Sequence, residues 1–232
     1  MAIKPIKNKS IGSEVIEQIK EQIILGEWAP GTKIPGEHEL TKMLGVSRIS
    51  VREAIQHLTG MGVLSVRRGE GTYINETVPR EYFNSLLPIL MIEGADLQEI
   101  LEFRAMIEIH SARLAAARAE EKDIALMEGI IDRMEVAKNE VEQFAMEDLN
   151  FHHAVAIATQ NKVIIKVNAI IHDMLKSAML QIVSISGTQG GLHFHKKILA
   201  AIRNRDGNAA AEEMQKHIEE TIQHVKHDVK SI

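Results

Sequence analysis

The sequence predicts a mainly α-helical protein of two domains, one at residues 1–78 and an all-α bundle of about seven helices at residues 79–232. Two observations predict this fold class. In the first domain, stretches with apolar residues at helical spacing precede two β-type runs joined by a glycine-bearing tip. In the second, the 144 residues after Pro88 contain no proline, and alanine, leucine, isoleucine, glutamate and lysine dominate. Such a composition is typical of helical domains.

Composition narrows the classes of function. The 232-residue chain has no cysteine, which excludes disulfides and thiolate metal sites. Its net charge of −5 is divided unevenly, with +1 on residues 1–78 and −6 on residues 79–232. The basic residues of the first domain must therefore gather on one face if they are to neutralise phosphates. The chain starts without the apolar run of a signal peptide and has no stretch of roughly 20 apolar residues, so we expect a cytoplasmic protein with no membrane partner.

Three helices are predicted in the first domain. The first covers residues 10–25 and ends at Gly26. The second covers residues 37–44 and stops at Gly45, a residue type that adopts the left-handed conformation that ends many helices. The third follows after only Val46. Two short helices joined by a tight, glycine-containing turn form a helix-turn-helix.

The third predicted helix has the features of a DNA recognition helix. Its first residue, Ser47, is expected to act as N-cap by accepting a hydrogen bond from a free backbone N–H. Apolar residues recur on one face: Val51, Ala54, Ile55 and Leu58. The first turn and a half, which enters a DNA groove in such motifs, carries Ser47, Arg48, Ser50 and Arg52. By itself this pattern also fits an ordinary amphipathic helix, and the neighbouring elements favour the DNA-binding interpretation.

A basic hairpin follows the third helix. Two β-type runs flank the tip sequence Arg67-Arg68-Gly69-Glu70-Gly71. The two adjacent arginines weaken the alternative of a plain surface hairpin. Placed beside a helix-turn-helix, the hairpin predicts a wing, so the first domain is predicted to be a winged helix-turn-helix.

Residues 10–75 resemble the winged helix-turn-helix of GntR-type bacterial transcription regulators. The matching segments are Ile24 to Pro35, Glu37 to Leu40, Gly45 to Ala54 and Gly69 to Thr72. The resemblance implies contacts to double-stranded DNA from the recognition helix and the wing: Ser47, Arg48, Ser50, Arg52, Arg67, Arg68 and Gly69. Two positions depart from the family pattern. Gly36 replaces a small capping residue such as serine, and His38 replaces an arginine that touches DNA.

The second domain is predicted to contain seven helices. They are expected at residues 80–92, 96–119, 121–139, 141–159, 161–184, 191–205 and 207–229. Polar or glycine-containing breaks separate them, including one at residues 187–191.

Four residues of the second domain have side-chain types that bind divalent metals. Asp148 and His152 are four residues apart on one predicted helix and therefore share a face. His195 lies on the next-to-last helix and His217 on the last. One carboxylate and three neutral imidazoles that converge would suit Zn²⁺, Ni²⁺ or Mn²⁺. Spacing alone, however, favours an ordinary structural role for such an aspartate–histidine pair.

Residues 97–228 resemble the FCD ligand-binding domain of the FadR subfamily of GntR regulators. The matching segments are Glu102 to Glu108, Asp148 to His152, His195 to Ile202 and Met214 to Ile218. The resemblance implies that Asp148, His152, His195 and His217 hold a divalent metal. It also implies that Arg104 faces the same cavity and pairs with an effector carboxylate, as its two-pronged guanidinium allows. The alternative for Arg104 is an ion pair with Glu108 on a solvated helix face.

Together these resemblances predict a homodimeric, metal-dependent transcription regulator. It is expected to bind a pseudo-palindromic operator and to respond to a small carboxylate effector, an organic or sugar acid, with relief of repression as the expected mode. Two alternatives remain at the level of the sequence. One is a metal-dependent enzyme acting on organic acids. Against it, no other carboxylate is placed as a general base, since Glu147 projects about 100° away from Asp148 around the helix. The other is a regulator whose metal is purely structural.

Overall fold

The computed structural model describes residues 10–76, 96–176 and 178–229, and the chain separates into two compact units, residues 1–83 and 84–232. The described residues contain ten helices and one two-stranded sheet, which confirms the predicted fold class. The predicted domain boundary between residues 78 and 79 and the predicted helix at 80–92 lie outside the described residues. Within those residues, no helix is both long and apolar enough to cross a membrane.

The first unit has the predicted order of elements. These are α1 Ile11–Ile24, α2 Glu37–Leu44, α3 Arg48–Gly60, β1 Leu64–Arg67 and β2 Gly71–Ile74. Their apolar faces enclose one core, because the spacing of the apolar residues points one side of each element inward. Its buried side chains include Val15, Ile19, Leu40, Val51, Ile55, Leu58, Leu64 and Ile74.

Two residues that the sequence singles out set the turn between α2 and α3. Gly45 has a φ of +66°, the left-handed conformation that glycine adopts without steric cost. Ser47 then caps α3, since its Oγ accepts a hydrogen bond from the backbone N–H of Ser50 at 3.2 Å. By contrast, Gly36 gives α2 no side-chain cap. This departure from the family pattern therefore removes one capping hydrogen bond from α2.

The two strands form an antiparallel hairpin in which Leu64 lies opposite Ile74. Both side chains are buried in the core of the first unit, so they hold the base of the hairpin against the helices. The tip, residues 68–70, is exposed, and Gly69 turns it with a φ of +80°. The predicted wing is thus present, with its basic tip directed to solvent.

The second unit is helical throughout its described residues. Its helices are α4 Leu97–Arg118, α5 Glu121–Val136, α6 Val141–Ala158, α7 Lys162–Leu175, α8 Met179–Ser186, α9 Thr188–Arg203 and α10 Gly207–Val229. α6 has ten buried residues, more than any other helix within the described residues. It contributes many of them to the core of the second unit. α4 packs against α6 and α10, and α9 packs against α10.

Two predictions about these helices are wrong. The single helix predicted at 161–184 is broken into α7 and α8. No glycine or proline marks this break. Leu175 and Met179 are both buried in the core on either side of it, so tertiary packing overrides the local helical preference.

The second error concerns the start of α9. The break predicted at 187–191 is confined to Gly187, and both Gly190 and Gly191 lie inside the helix. Their lack of a side chain permits close packing, because a Cβ on Gly190 would lie 2.9 Å from Glu220 Oε1, and one on Gly191 would lie 3.4 Å from Asp148 Oδ1. These glycines therefore bring α9 close to α6 and α10.

Candidate functional site

The structure exposes the predicted DNA-contacting residues of the first unit. Ser47, Arg48 and Arg52 are exposed at the start of α3, whereas Ser50 is half-buried. The hydroxyl oxygens of Ser47 and Ser50 lie 3.0 Å apart. On the wing, Arg67 lies over the ring of Tyr73 at 4.2 Å, a cation–π contact that orients its guanidinium. Arg68 and Gly69 are exposed at the tip.

Both arginines of the predicted recognition helix have partners on α2 that the sequence does not predict. Arg52 Nη2 donates to Glu37 Oε2 at 2.8 Å, and this hydrogen bond holds the pKa of Glu37 below its ordinary value. Arg48 Nη2 donates to His38 Nδ1 at 2.8 Å. His38 therefore holds the side chain of Arg48, which lies on the face that is predicted to bind DNA. The four-residue spacing of Arg48 and Arg52 does not predict these pairs, because each pair joins residues on two different helices.

The four predicted metal ligands converge in the second unit. Asp148 and His152 come from α6, His195 from α9 and His217 from α10, and all four are buried. One ligand atom from each residue lies within 4.8 Å of the others. The separate helices thus meet at one point, as the resemblance implies.

Three imidazole nitrogens form a nearly equilateral triangle. The Nε2 atoms of His152, His195 and His217 lie 3.1 to 3.2 Å from one another. Nitrogens bound at about 2.0–2.1 Å to one ion lie roughly 3.0–3.4 Å apart. Asp148 borders this triangle, with Oδ1 at 3.4 Å from His195 Nε2 and Oδ2 at 3.8 Å from His152 Nε2. The spacing of the donor atoms therefore fits a shared divalent cation.

A buried carboxylate orients one of the three imidazoles. Glu108 Oε2 lies 2.7 Å from His152 Nδ1, and a carboxylate at this distance favours a proton on Nδ1, which would leave the lone pair of Nε2 directed at the other three residues. Glu108 in turn accepts from Arg104 Nε at 3.0 Å and from Asn168 Nδ2 at 3.4 Å. The sequence predicts Glu108 only as a surface partner of Arg104. The pair does form, but it is buried.

Contacts with ring and sulfur atoms hold the other two imidazoles. His195 stacks on Phe151 with 4.2 Å between ring centroids, and its Nδ1 lies 3.4 Å from Met134 Sδ. His217 packs against the ring of Phe194 at 5.6 Å. Their Nε2 atoms are consequently fixed in direction before any ligand binds.

Burial favours the neutral forms of two of the imidazoles, His195 and His217. Burial lowers the pKa of His195 well below its ordinary value, and the neighbouring His217, His152 and Arg104 lower it further. Burial, then His152 and Arg104, likewise lower the pKa of His217. Neutral imidazole is the form that binds a metal.

The pKa values of the two buried carboxylates at this site, Asp148 and Glu108, are shifted in opposite directions. Burial raises the pKa of Asp148, although His152 and Arg104 oppose this shift. Burial also acts to raise the pKa of Glu108, but Arg104 and His152 outweigh it, so the pKa of Glu108 lies below its ordinary value. The positive charges near Asp148 therefore do not offset the cost of burying its ionised carboxylate. A bound divalent ion would supply further positive charge.

Arg104 and Asp148 form a buried ion pair that is too long for a hydrogen bond. Arg104 Nη2 and Asp148 Oδ2 are buried 3.7 Å apart, and neither has a hydrogen-bond partner within the described ranges. A buried donor or acceptor without a partner costs free energy. Both atoms thus fit a ligand that lies between the histidine triangle and Arg104.

A cleft opens beside these atoms. Its space encloses about 390 Å³, including the mouth, but the centre of a water molecule can occupy only about 20 Å³ of it. That amounts to room for one or two water molecules. Besides Arg104, Asp148 and His217, the cleft is lined by residues of α6, α8, the start of α9 and α10.

Comparisons with known proteins identify the two units. The model of the bacterial regulatory proteins of the gntR family matches residues 11–74, and that of the FCD domain matches residues 99–220. The Uxu operon transcriptional regulator of Escherichia coli is 30% identical over 214 residues, which cover 89% of this chain and 83% of that protein. The chain belongs to the GntR family. It is a transcription regulator of that family with an FCD domain, as the sequence predicts, and it is not an enzyme.

Further relatives agree with this assignment. The galactonate operon transcriptional repressor of E. coli is 27% identical over 207 residues, covering 84% of this chain and 88% of that protein. Among solved structures, the Streptococcus agalactiae GntR protein matches with a TM-score of 0.67 at 24% identity, covering 91% of this chain and 99% of that one. This structural likeness supports the GntR fold across both units.

Proposed function

We propose that this GntR regulator is of the FadR subfamily and controls its operator through a carboxylate effector bound beside a divalent metal. The observation that carries the proposal is Arg104 Nη2, which has no hydrogen-bond partner among the described residues and lies in a 3.7 Å ion pair with Asp148 Oδ2 at the edge of the histidine triangle. Asp148, His152, His195 and His217 would hold Zn²⁺, Ni²⁺ or Mn²⁺. When bound, the ion supplies positive charge and open coordination positions to an anionic ligand.

Arg104 supports the sensing role over a purely structural metal. Its Nε is engaged by Glu108, so the position of the guanidinium is fixed. Its Nη2 has no hydrogen-bond partner in the part of the chain that the structure describes. A carboxylate reaching the metal end of the cleft would accept a charge-assisted hydrogen bond from this atom. A metal that only tethered helices would leave this buried donor without a hydrogen-bond partner.

The DNA-binding unit supports recognition of a pseudo-palindromic operator by a homodimer in the cytoplasm. One winged unit presents few base contacts, so a unique site requires two units related by two-fold symmetry. Ser47, Arg48, Ser50 and Arg52 would enter the major groove, and the wing tip around Arg67, Arg68 and Gly69 would contact phosphates or the minor groove. The name of one relative, a galactonate operon transcriptional repressor, supports repression as the mode of control, and we propose that the effector relieves it.

Calorimetric titration of the metal-loaded protein with organic and sugar acids tests the proposal. We expect the wild type to bind at least one acid and Arg104→Ala to bind it about 10- to 100-fold more weakly, because a charge-assisted hydrogen bond is lost. Arg113→Ala is the matched control, since Arg113 is exposed on the same helix. Equal affinity of Arg104→Ala and wild type would contradict the role of Arg104.

A further inference from the structure

We infer that Ile49 of α3 reads a thymine in each operator half-site, through contact of its side chain with the C5 methyl group of that base in the major groove. This inference rests on the proposed function, which places the start of α3 in the groove. It adds one apolar base contact to the polar contacts proposed for the same helix.

Ile49 is a large apolar side chain that α3 leaves in water. It is 71% exposed, in the first turn of the helix. The buried residues of the same helix are Val51, Ala54, Ile55 and Leu58. Because each helical residue is rotated by about 100° from the one before, Ile49 lies on the side opposite these four. Its side chain is therefore directed away from the core and toward whatever α3 binds.

The rest of this outward side of α3 is polar. Arg52, Glu53 and Gln56 follow Ile49 at intervals of three, four and seven residues, and all three are exposed. Residues at these intervals share one face of a helix. The Cβ atoms of residues three apart are about 5–6 Å from each other. A groove that receives Arg52 therefore also receives Ile49.

The chemistry of Ile49 selects the group that it can recognise. Its side chain has no hydrogen-bond donor or acceptor, and the C5 methyl of thymine is the apolar group that the major groove presents. Contact between the two removes apolar surface of both from water, which is favourable. A β-branched side chain has one strongly preferred rotamer in a helix, so Ile49 loses little conformational freedom on binding.

The polar neighbours of Ile49 already have partners within the protein. Arg48 Nη2 lies 2.8 Å from His38 Nδ1, and the hydroxyl oxygens of Ser47 and Ser50 lie 3.0 Å apart. These groups exchange one hydrogen bond for another when they bind DNA, which reduces the net gain. Ile49 gives up only contact with water. Its contact with a methyl group therefore adds base preference without breaking a bond of the free protein.

Replacement of thymine by uracil tests the inference, because it removes the C5 methyl and leaves the hydrogen-bonding groups of the base unchanged. The probe is the duplex that the wild-type protein enriches most from a random DNA library. Each thymine is replaced in turn together with its symmetry mate, and affinity is measured by gel shift at fixed salt. At one thymine per half-site we expect a loss of about fourfold for each half-site, or about 15-fold for both.

Ile49→Ala separates the methyl contact from other effects of uracil. The variant should bind the thymine duplex about 15-fold more weakly than the wild type, and the critical uracil replacement should change its affinity by less than about twofold. Ile24→Ala, at a position 82% exposed at the end of α1, is the matched control. It should retain both the affinity and the full effect of uracil. Both variants should keep the wild-type Tm, since both side chains are exposed.

The outcomes separate this inference from the proposed function. Suppose that Arg52→Ala weakens binding to the enriched duplex, but no thymine shows a uracil effect that Ile49→Ala removes. The inference is then overturned, and the proposed DNA-binding face stands. An enriched duplex without thymine in its half-sites, or a library enrichment by Ile49→Ala that retains the same thymine preference, would also overturn it. If the wild type enriches no sequence at all, the proposed operator recognition is itself contradicted and the inference fails with it.

Discussion

Arg52 and Arg104 each pair with a glutamate, but in opposite settings. The Arg52 side chain is 62% exposed in its pair with Glu37, whereas the Arg104 side chain is 2% exposed in its pair with Glu108. An exposed ion pair is weak and exchanges readily with water or another anion. A buried pair is hard to break, because separation leaves an uncompensated charge. The Arg52–Glu37 pair can therefore open to let Arg52 bind another anion, whereas the Arg104–Glu108 pair stays formed.

This contrast separates the tasks of the two units. On the face that is proposed to bind DNA, Glu37 holds Arg52 in an exposed ion pair, in which a DNA phosphate or base would replace Glu37. Around the proposed metal ligands, Glu108 contacts both Arg104 and His152, which would leave one nitrogen of each for the proposed effector and ion. The same types of residue thus serve exchange at a surface and preorganisation in a core.

Metal removal should have the largest effect and should be confined to the buried side of the comparison. An ion present at about a thousand times its Kd stabilises the folded state by about 4 kcal/mol, which corresponds to roughly 10 °C in Tm. Scanning calorimetry with and without a chelator measures this loss. Re-addition of the ion is the control. An unchanged Tm after verified metal removal would show that the ligands do not depend on an ion for stability.

Arg52→Ala tests the exposed side. We expect operator affinity to fall about a hundredfold, since a symmetric dimer loses two base contacts. The Tm should remain that of the wild type, because the pair with Glu37 is exposed. A gel-shift titration at fixed salt measures the affinity, and Lys20→Ala on α1 is the control. Full affinity of Arg52→Ala would remove Arg52 from the DNA interface.

Glu108→Gln tests whether the buried pair supports the metal ligands. It retains the shape of the side chain but removes the charge that holds His152 Nδ1–H. We expect metal affinity to fall about 10- to 100-fold, as for other residues that orient a ligand. Competition with a chromogenic chelator measures the affinity, with Glu102→Gln, at an exposed position on α4, as control. An unchanged affinity would mean that Glu108 serves Arg104 alone.

Glu37→Gln should have the smallest effect. Loss of its charge releases Arg52 and removes an anion near the DNA phosphates, so operator affinity should rise a few-fold at low salt and less at high salt. The salt dependence is measured in the same gel-shift assay, with Glu17→Gln on α1 as control. A large fall in affinity would show that Glu37 positions Arg52 rather than merely occupying it.

Much of the fold could be predicted because local signals agree with the packing. Ser47 and Gly45 act as predicted at the turn between α2 and α3. The break between α7 and α8 could not be predicted, since no residue of special conformation marks it. Gly190 and Gly191 misled the prediction, because glycine reads as a breaker when its role is close packing of helices.

The candidate site was predictable only in part, for a similar reason. Family resemblance predicted the four ligands and Arg104, and the structure brings these five residues together. The contact of Glu108 with His152 depends on the burial of Glu108, and the four-residue spacing of Glu108 and Arg104 does not reveal that burial.

The most direct test of the account is the metal content of the purified protein. Elemental analysis of protein prepared without chelators, or offered zinc, nickel and manganese, should give about one divalent ion per chain. His217→Ala should lose most of it, while His227→Ala, on the same helix, should retain it. A wild type that is metal-free as prepared and stays so when it is offered each of the three metals, or a His217→Ala variant that binds the ion as fully as the wild type, would contradict the proposed site.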